Sequence, residues 1–264
     1  MTAEVEVKVT ATSLAARALG AANSHRVFVH GFAQNAHCLG MFGQLLAQDK
    51  GLLAVDAPGH GQSVQHGEKS LPQGAELLCA TAGTAHYMGY SMGGRLCLQA
   101  AVTHPELLRS LVLIGATAGI DDPAERSQRQ DWDRQQADLL GEVGLDEFLN
   151  SWLDQPLFAG LSKPARFEQE RRNNTVVGLS ASLRSAGTGS MTPLWDQLSL
   201  IRCPVLVVTG SSDLRYTEIA ERLVQQIGHS ASRVSIPSAG HAAHLEQPEA
   251  TAYAVLKFLE NAGP

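Results

Sequence analysis

Between residues 89 and 95 the chain reads Gly-Tyr-Ser-Met-Gly-Gly-Arg, a serine set among three glycines with a guanidinium four residues after it. A serine hydroxyl is a weak nucleophile and a weak base until a neighbouring group takes its proton, and an imidazole does this well only when a carboxylate orients it. G-x-S-x-G places Ser91 on a tight strand-to-helix turn, where the strained backbone and the close strand leave no room for side chains on the flanking residues. The carboxylate and the imidazole follow far downstream. Asp213 closes Gly210-Ser211-Ser212-Asp213, just past an apolar run, and His241 closes Ser238-Ala239-Gly240-His241, a loop that Gly240 is expected to turn sharply. His244, three residues on, competes for the role of base, but its place nearer the next helix suits packing behind His241. Negative charge developing on a substrate oxygen needs two preorganised backbone donors. The Met92 amide, directly after the serine, supplies one, and the Phe32 amide in His30-Gly31-Phe32 supplies the other.

The remaining candidates have plainer readings. His104 precedes Pro105 at a helix end, His60 lies in the turn Pro58-Gly59-His60-Gly61, and His25, His66 and His229 are expected at the surface. No HExxH or CxxC spacing supports a metal, and no cofactor motif occurs. Cys38, Cys79, Cys97 and Cys203 are scattered through apolar surroundings, as reduced thiols of a cytoplasmic protein would be. A net charge of −6 without any Lys/Arg block argues against nucleic acid as a partner. Any small anionic substrate must therefore be met by a few local arginines. The opening MTAEVEVKVT alternates Val with Glu or Lys and reads as a strand, not a signal peptide, and no apolar run is long enough to cross a membrane. Oligomeric state is not encoded in any of these features.

The elements that must position these residues are legible as short apolar runs followed by Gly or Asp: Arg26 to Val29, Leu52 to Val55, Ala85 to Met88, Leu111 to Ile114 and Val205 to Val208, with a further run from Arg233 to Ile236. Near-continuous apolar strands separated by helical periodicity, as from Met92 to Thr103 and Thr217 to Ile227, predict an α/β fold with a mostly parallel central sheet flanked by helices. The alternation breaks from about Ile120 to Pro193. Helix-compatible stretches fill that interval (Arg129 to Leu140, Leu145 to Leu153, Arg166 to Leu183), ending at Gly187-Thr188-Gly189. The expected organisation is a core of residues 1–118 and 193–264 with a helical cap, 119–192, over the carboxyl ends of the strands, where open α/β sheets bind ligands. Longer crossover helices are the other reading of that interval.

GYSMGG, the His30-Gly31-Phe32 loop, VDAPGHGQS (Val55 to Ser63), GSSD and AGHAAHLEQP together resemble the α/β-hydrolase superfamily along essentially the whole chain. Within it, GYSMGGR, GATAGIDD, the Glu125-Arg126-Ser127-Gln128-Arg129 run, Trp152-Leu153-Asp154-Gln155-Pro156, Glu170-Arg171-Arg172-Asn173-Asn174 and GTGSMTPLW closely resemble the 2-succinyl-6-hydroxy-2,4-cyclohexadiene-1-carboxylate (SHCHC) synthase family of menaquinone biosynthesis. The resemblance implies a lyase that eliminates pyruvate from a tricarboxylate with Ser91 as base. It also implies that Tyr90, Arg95, Arg129, Trp152 and Arg171 bind the substrate, with Arg172 the adjacent alternative to Arg171. Planar guanidiniums suit carboxylates; the plainer reading is that Arg126, Arg129, Arg171 and Arg172 form a solvated helix face paired with nearby acids. Two departures stand out: the family often carries a tryptophan where this chain reads AQNAHCLGMF, and Leu214-Arg215-Tyr216 replaces the usual Lys-Phe. They leave room for a carboxylesterase or C–C bond hydrolase using the same three residues. A non-catalytic receptor is a further reading, against which the intact Ser91, Asp213 and His241 set speaks.

Overall fold

In the computed structural model, which describes residues 5–7, 10–21 and 24–263, eight strands form one sheet. They are β1 (Val5–Val7), β2 (Ala16–Leu19), β3 (Arg26–Val29), β4 (Leu52–Val55), β5 (Ala85–Tyr90), β6 (Leu108–Ile114), β7 (Val205–Gly210) and β8 (Ala231–Ile236), in the order β1-β2-β4-β3-β5-β6-β7-β8. Strands β3 to β8 run parallel, while β1 and β2 add an antiparallel edge. Of the strand expected at the N-terminus only Val5–Val7 is seen; residues 1–4, 8 and 9 lie outside the described residues. Strand β2 was not legible, because Ala16-Arg17-Ala18-Leu19 has no β-branched residue to mark it.

The period of two along the central strands sorts their side chains into two cores, one on each face. Val27, Val29, Leu111, Leu113, Val205 and Val207 enter one, and Phe28, Val112, Ile114, Leu206 and Val208 enter the other. Helices α2 (Leu71–Ala82), α3 (Met92–Thr103) and α7 (Leu214–Ile227) cover the first face; α1 (Gly40–Ala47) and α9 (Pro248–Asn261) cover the second. The second core continues into the insertion through Leu140, Phe148, Leu149 and Trp152.

That insertion departs from its expected helices in two places. Helix α4 (Pro123–Leu153) spans both of the first two stretches, broken at Gly144, whose φ of 79° and ψ of 174° only glycine adopts readily. Asp122 caps its start by accepting from the Ala124 and Glu125 amides, and Pro123 fits its first position. The third stretch, Arg166 to Leu183, is not one helix. Phe167 adopts a left-handed conformation, α5 (Glu168–Arg171) ends after one turn, and α6 (Val176–Ala186) starts afresh where Thr175 accepts from the Gly178 amide. Local capping by Asn and Thr side chains overrides the apolar period there.

Candidate active site

Ser91 follows β5 and precedes α3 with φ of 51° and ψ of −108°, the strained turn that G-x-S-x-G requires. The glycines around it are sterically fixed: a Cβ on Gly89 would overlap the Gly93 carbonyl, and one on Gly93 would overlap the carbonyls of Val29 and His30. Ser91 Oγ lies 3.2 Å from His241 Nε2, and His241 Nδ1 lies 2.9 Å from Asp213 Oδ2. Asp213 also caps α7 by accepting from the Tyr216 amide at 3.2 Å, so the carboxylate is held from two sides. Each of the three residues comes from a loop at the carboxyl end of its strand: β5, β7 and β8. His241 is further clamped by Glu246, which accepts from the amides on both sides of it, Gly240 at 2.7 Å and Ala242 at 3.0 Å. The left-handed residue of this loop is Ser238, with φ of 57°, and not Gly240 as its sequence suggests; Gly240 instead keeps room for the Glu246 carboxylate. His244, in the one-turn helix α8 (Ala243–Glu246), packs against Tyr90 and Phe42 and does not reach Ser91.

The loop after β3 is locked by a pair of neutral histidines. His30 donates from Nδ1 to the Gly31 carbonyl and accepts the Ala57 amide at Nε2; His60 donates to the Pro58 carbonyl and accepts the Ala33 amide. Burial lowers their pKa values to about 4 and about 3, which keeps both Nε2 atoms free to accept. Asp56 accepts from the Ala36 and Gln62 amides, and Asn174 reaches in from the insertion to accept from Gly61 while donating to the carbonyls of Ala33, Gln34 and Arg171. Among the described residues the amides of Phe32 and Met92 take no acceptor, and both residues line the cavity at Ser91. The Met92 amide adds the positive end of a twelve-residue helix.

That cavity measures about 390 Å³ and is lined by Phe32, Tyr90, Ser91, Met92, Arg95, Arg129, Trp152, Arg171 and His241; of the residues given a role from the sequence, Asp213 and the two alternatives His244 and Arg172 are not in its lining. Asp213 stands behind His241. Arg95 is buried, donates to the Ala186 carbonyl at 2.8 Å and has its pKa lowered to about 10, first by burial and then by Arg129. Arg129 gives Nε to Asp133 at 2.8 Å. Arg171 is 1% exposed; its Nε donates to the Arg166 carbonyl at 2.6 Å, and burial lowers its pKa. Arg172 pairs instead with Asp146 at the surface, so of the two only Arg171 lines the cavity. Arg126 is spent on the carbonyls of Ile120 and Asp121.

Sequence reasoning missed four contributors. Asp133, 1% exposed, fixes Arg129 and accepts the Gly189 amide; its i,i+4 spacing from Arg129 was the available signal. Gln34 and Arg215 line the cavity, and Tyr216 packs on His241 at 4.4 Å between ring centroids. His66, expected at the surface, is buried with Nε2 donating to the Thr10 carbonyl, because the turn before α2 folds under the N-terminal segment. All four cysteines are buried and free. Among the described residues no group of three or more His, Cys, Asp or Glu is placed to hold a metal ion, and no helix is long and apolar enough to cross a membrane.

Residues 27–255 match the model of the alpha/beta hydrolase family. The chain belongs to the alpha/beta hydrolase family. This alpha/beta hydrolase is 31% identical over 252 residues, 88% of its own length and 89% of the other's, to a Bacillus subtilis (strain 168) protein provisionally named 2-succinyl-6-hydroxy-2,4-cyclohexadiene-1-carboxylate synthase. It is 32% identical over 229 residues, 84% of its length, to 88% of the enzyme of that name from Escherichia coli O1:K1 / APEC. The structure of MenH from S. aureus superposes with a TM-score of 0.86 at 25% identity, over 94% of this chain and 99% of that one. A thermophilic esterase from Thermogutta terrifontis shares the fold, with a TM-score of 0.81 at 22% identity over the whole of both chains.

Proposed function

We propose that this alpha/beta hydrolase is an SHCHC synthase of menaquinone biosynthesis, eliminating pyruvate from 2-succinyl-5-enolpyruvyl-6-hydroxy-3-cyclohexene-1-carboxylate. One observation carries the reading: Ser91 and His241 share a single cavity with four arginines, Arg95, Arg129, Arg171 and Arg215, of which Arg95 and Arg171 are buried. A pocket for a neutral ester gains nothing from buried cations that are expensive to desolvate, whereas a substrate with three carboxylates supplies the missing counter-charge. The names of the relatives from B. subtilis and E. coli support the same reaction.

In this mechanism His241 Nε2 takes the Ser91 proton, and Asp213 holds the imidazole in the tautomer that can accept it. The serine oxygen removes a ring proton. The C–H electron pair moves toward the succinyl carbonyl, where the Phe32 and Met92 amides stabilise the developing oxyanion, each worth ~3 kcal/mol. The electrons then return to form a ring C=C bond as the C–O bond to the three-carbon unit breaks. The departing enolate takes a proton at carbon and leaves as pyruvate. No acyl-serine forms. Residues 119–192 act as the cap that carries Arg129, Trp152 and Arg171 over the strand ends. The free thiols suit a cytoplasmic protein.

The test is a pyruvate-coupled assay with the tricarboxylate substrate, run beside p-nitrophenyl acetate. Rapid pyruvate release with slow ester turnover is expected. Ester turnover through a trapped acyl-Ser91, without pyruvate release, would overturn the reading in favour of a hydrolase.

A further inference from the structure

Three buried donor atoms in the cavity wall have no acceptor among the described residues: Gln34 Nε2, Trp152 Nε1 and Arg171 Nη1. Backbone and ring contacts tie their residues together. Asn174 Nδ2 donates to the backbone carbonyls of both Gln34, at 3.3 Å, and Arg171, at 2.9 Å, which draws those two residues together. Trp152 meets the ring of Phe32, two residues before Gln34, edge-on at 4.9 Å between centroids. Arg171 and Trp152 were already marked by family resemblance, but Gln34 was not.

The orientation of Gln34 follows from its own hydrogen bond. Its Oε1 accepts the Gly31 amide at 2.9 Å, so the carboxamide oxygen is committed to the turn that carries Phe32. Only the NH₂ side of the group is then left over. Gln34 is 1% exposed, and a donor buried this deeply without a partner is unfavourable unless something brings an acceptor to it. Gln34, Trp152 and Arg171 offer donors and no free acceptor, a combination complementary to a carboxylate and to little else.

We propose that Gln34 is a specificity-determining residue that presents Nε2 to a substrate carboxylate, with Arg171 and Trp152 completing a donor-only cradle beside the Phe32 amide. The ligand class is a 4-oxo acid: its carbonyl lies against the Phe32 and Met92 amides, and its carboxylate, a few bonds away, lies against Gln34. The inference rests on the proposed function only in giving those two amides the carbonyl. A neutral carboxamide or ester in place of the carboxylate meets the same donors with weaker, uncharged acceptors and is selected against.

Isothermal titration calorimetry with 4-oxo-4-phenylbutanoate and with its uncharged carboxamide tests this. Wild-type protein is expected to bind the acid more tightly than the carboxamide. Gln34→Glu keeps an oxygen for the Gly31 amide but turns the donor into a charged acceptor, so it should weaken acid binding ~10- to 100-fold, in line with a lost hydrogen bond to a charged group. Its thermal midpoint should stay close to that of wild type, and Gln34→Met, which removes the donor without adding charge, should weaken the acid alone by ~10-fold. Equal binding of acid and carboxamide, no binding of the acid by wild type, or unchanged acid affinity in both variants would overturn the proposal. If the acid preference and its loss in the variants are seen in a protein that releases no pyruvate, the carboxylate cradle stands and the elimination reaction falls. If pyruvate is released at a rate indifferent to Gln34, the elimination reaction stands and the cradle falls.

Discussion

At the scale of single residues, Asp213 carries two loads that substitutions can separate. It orients His241 through Oδ2 and caps α7 through Oδ1. Asp213→Asn keeps a capping oxygen but offers an amide NH₂ or the wrong tautomer to the imidazole, so turnover should fall by ~10⁴-fold while the melting temperature hardly changes. Asp213→Ala should lose the same activity and in addition ~1 kcal/mol of stability from the cap, measured by denaturant unfolding. The paired arginines separate in another way. Arg171→Met replaces a buried guanidinium with an apolar side chain of similar length, so kcat/KM for the tricarboxylate should drop by ~100-fold with stability unchanged or raised. Arg172→Met removes only a surface pair with Asp146 and should leave both kcat/KM and stability close to wild type in the same steady-state and melting assays. Ser91, Asp213 and His241 were legible because each sits at a strand end with a steric or chemical reason for its neighbours. The choice between Arg171 and Arg172 was not, since adjacent residues in a one-turn helix point apart only once the turn is placed. Gln34 was hidden for a related reason: a glutamine in a loop announces nothing until its oxygen is seen to be occupied.

At the scale of elements, parallel strands buried on both faces are the most legible feature of such a chain, because nearly every position must be apolar. The insertion is harder, since its helices present mixed faces to core, cavity and solvent, and small capping residues decide where each one stops. Gly144 shows this. The glycine falls between the two helix-compatible stretches that the sequence shows, and its φ of 79° and ψ of 174° make it the joint between the two parts of α4, with the second part delivering Phe148 and Trp152 to the core. A Cβ there meets no neighbour within 4 Å, so any penalty for a side chain comes from the backbone alone. Gly144→Ala should therefore destabilise by ~1–3 kcal/mol. Thermal unfolding should register this as a midpoint lowered by roughly 2–10 °C; an unchanged midpoint would mean that the two halves can straighten into one helix.

For the whole molecule, acid should act through the buried imidazoles. His30, His60 and His244 have pKa values lowered from 6.5 to about 4, about 3 and about 3, with burial the main cause in each. Between pH 6.5 and about 4 the unfolded chain binds protons at these sites that the folded chain refuses. Stability is thus fully present above pH 6.5 and declines as pH falls, at up to ~1.4 kcal/mol per pH unit for each group. Urea midpoints measured at pH 7.5 and pH 5 should show this loss, and His60→Gln, whose side chain can offer an acceptor without titrating, should reduce it. Protonated Nε2 atoms would face the Ala57 and Ala33 amides donor to donor, so the loop bearing Phe32 should be the first part to loosen. Asn174 gives that loop a different kind of significance. Its side chain fastens the insertion to the Gly61 amide and to the carbonyls of Ala33 and Gln34 while holding Arg171. The segment that delivers the guanidinium is thereby joined to the sheet side of the pocket, and residues 119–192 are not an interchangeable module. A chimera that grafts another relative's insertion onto this core inherits a new set of cavity-lining residues, but it also breaks the frame that holds the loop bearing Phe32, unless an asparagine arrives at the same place.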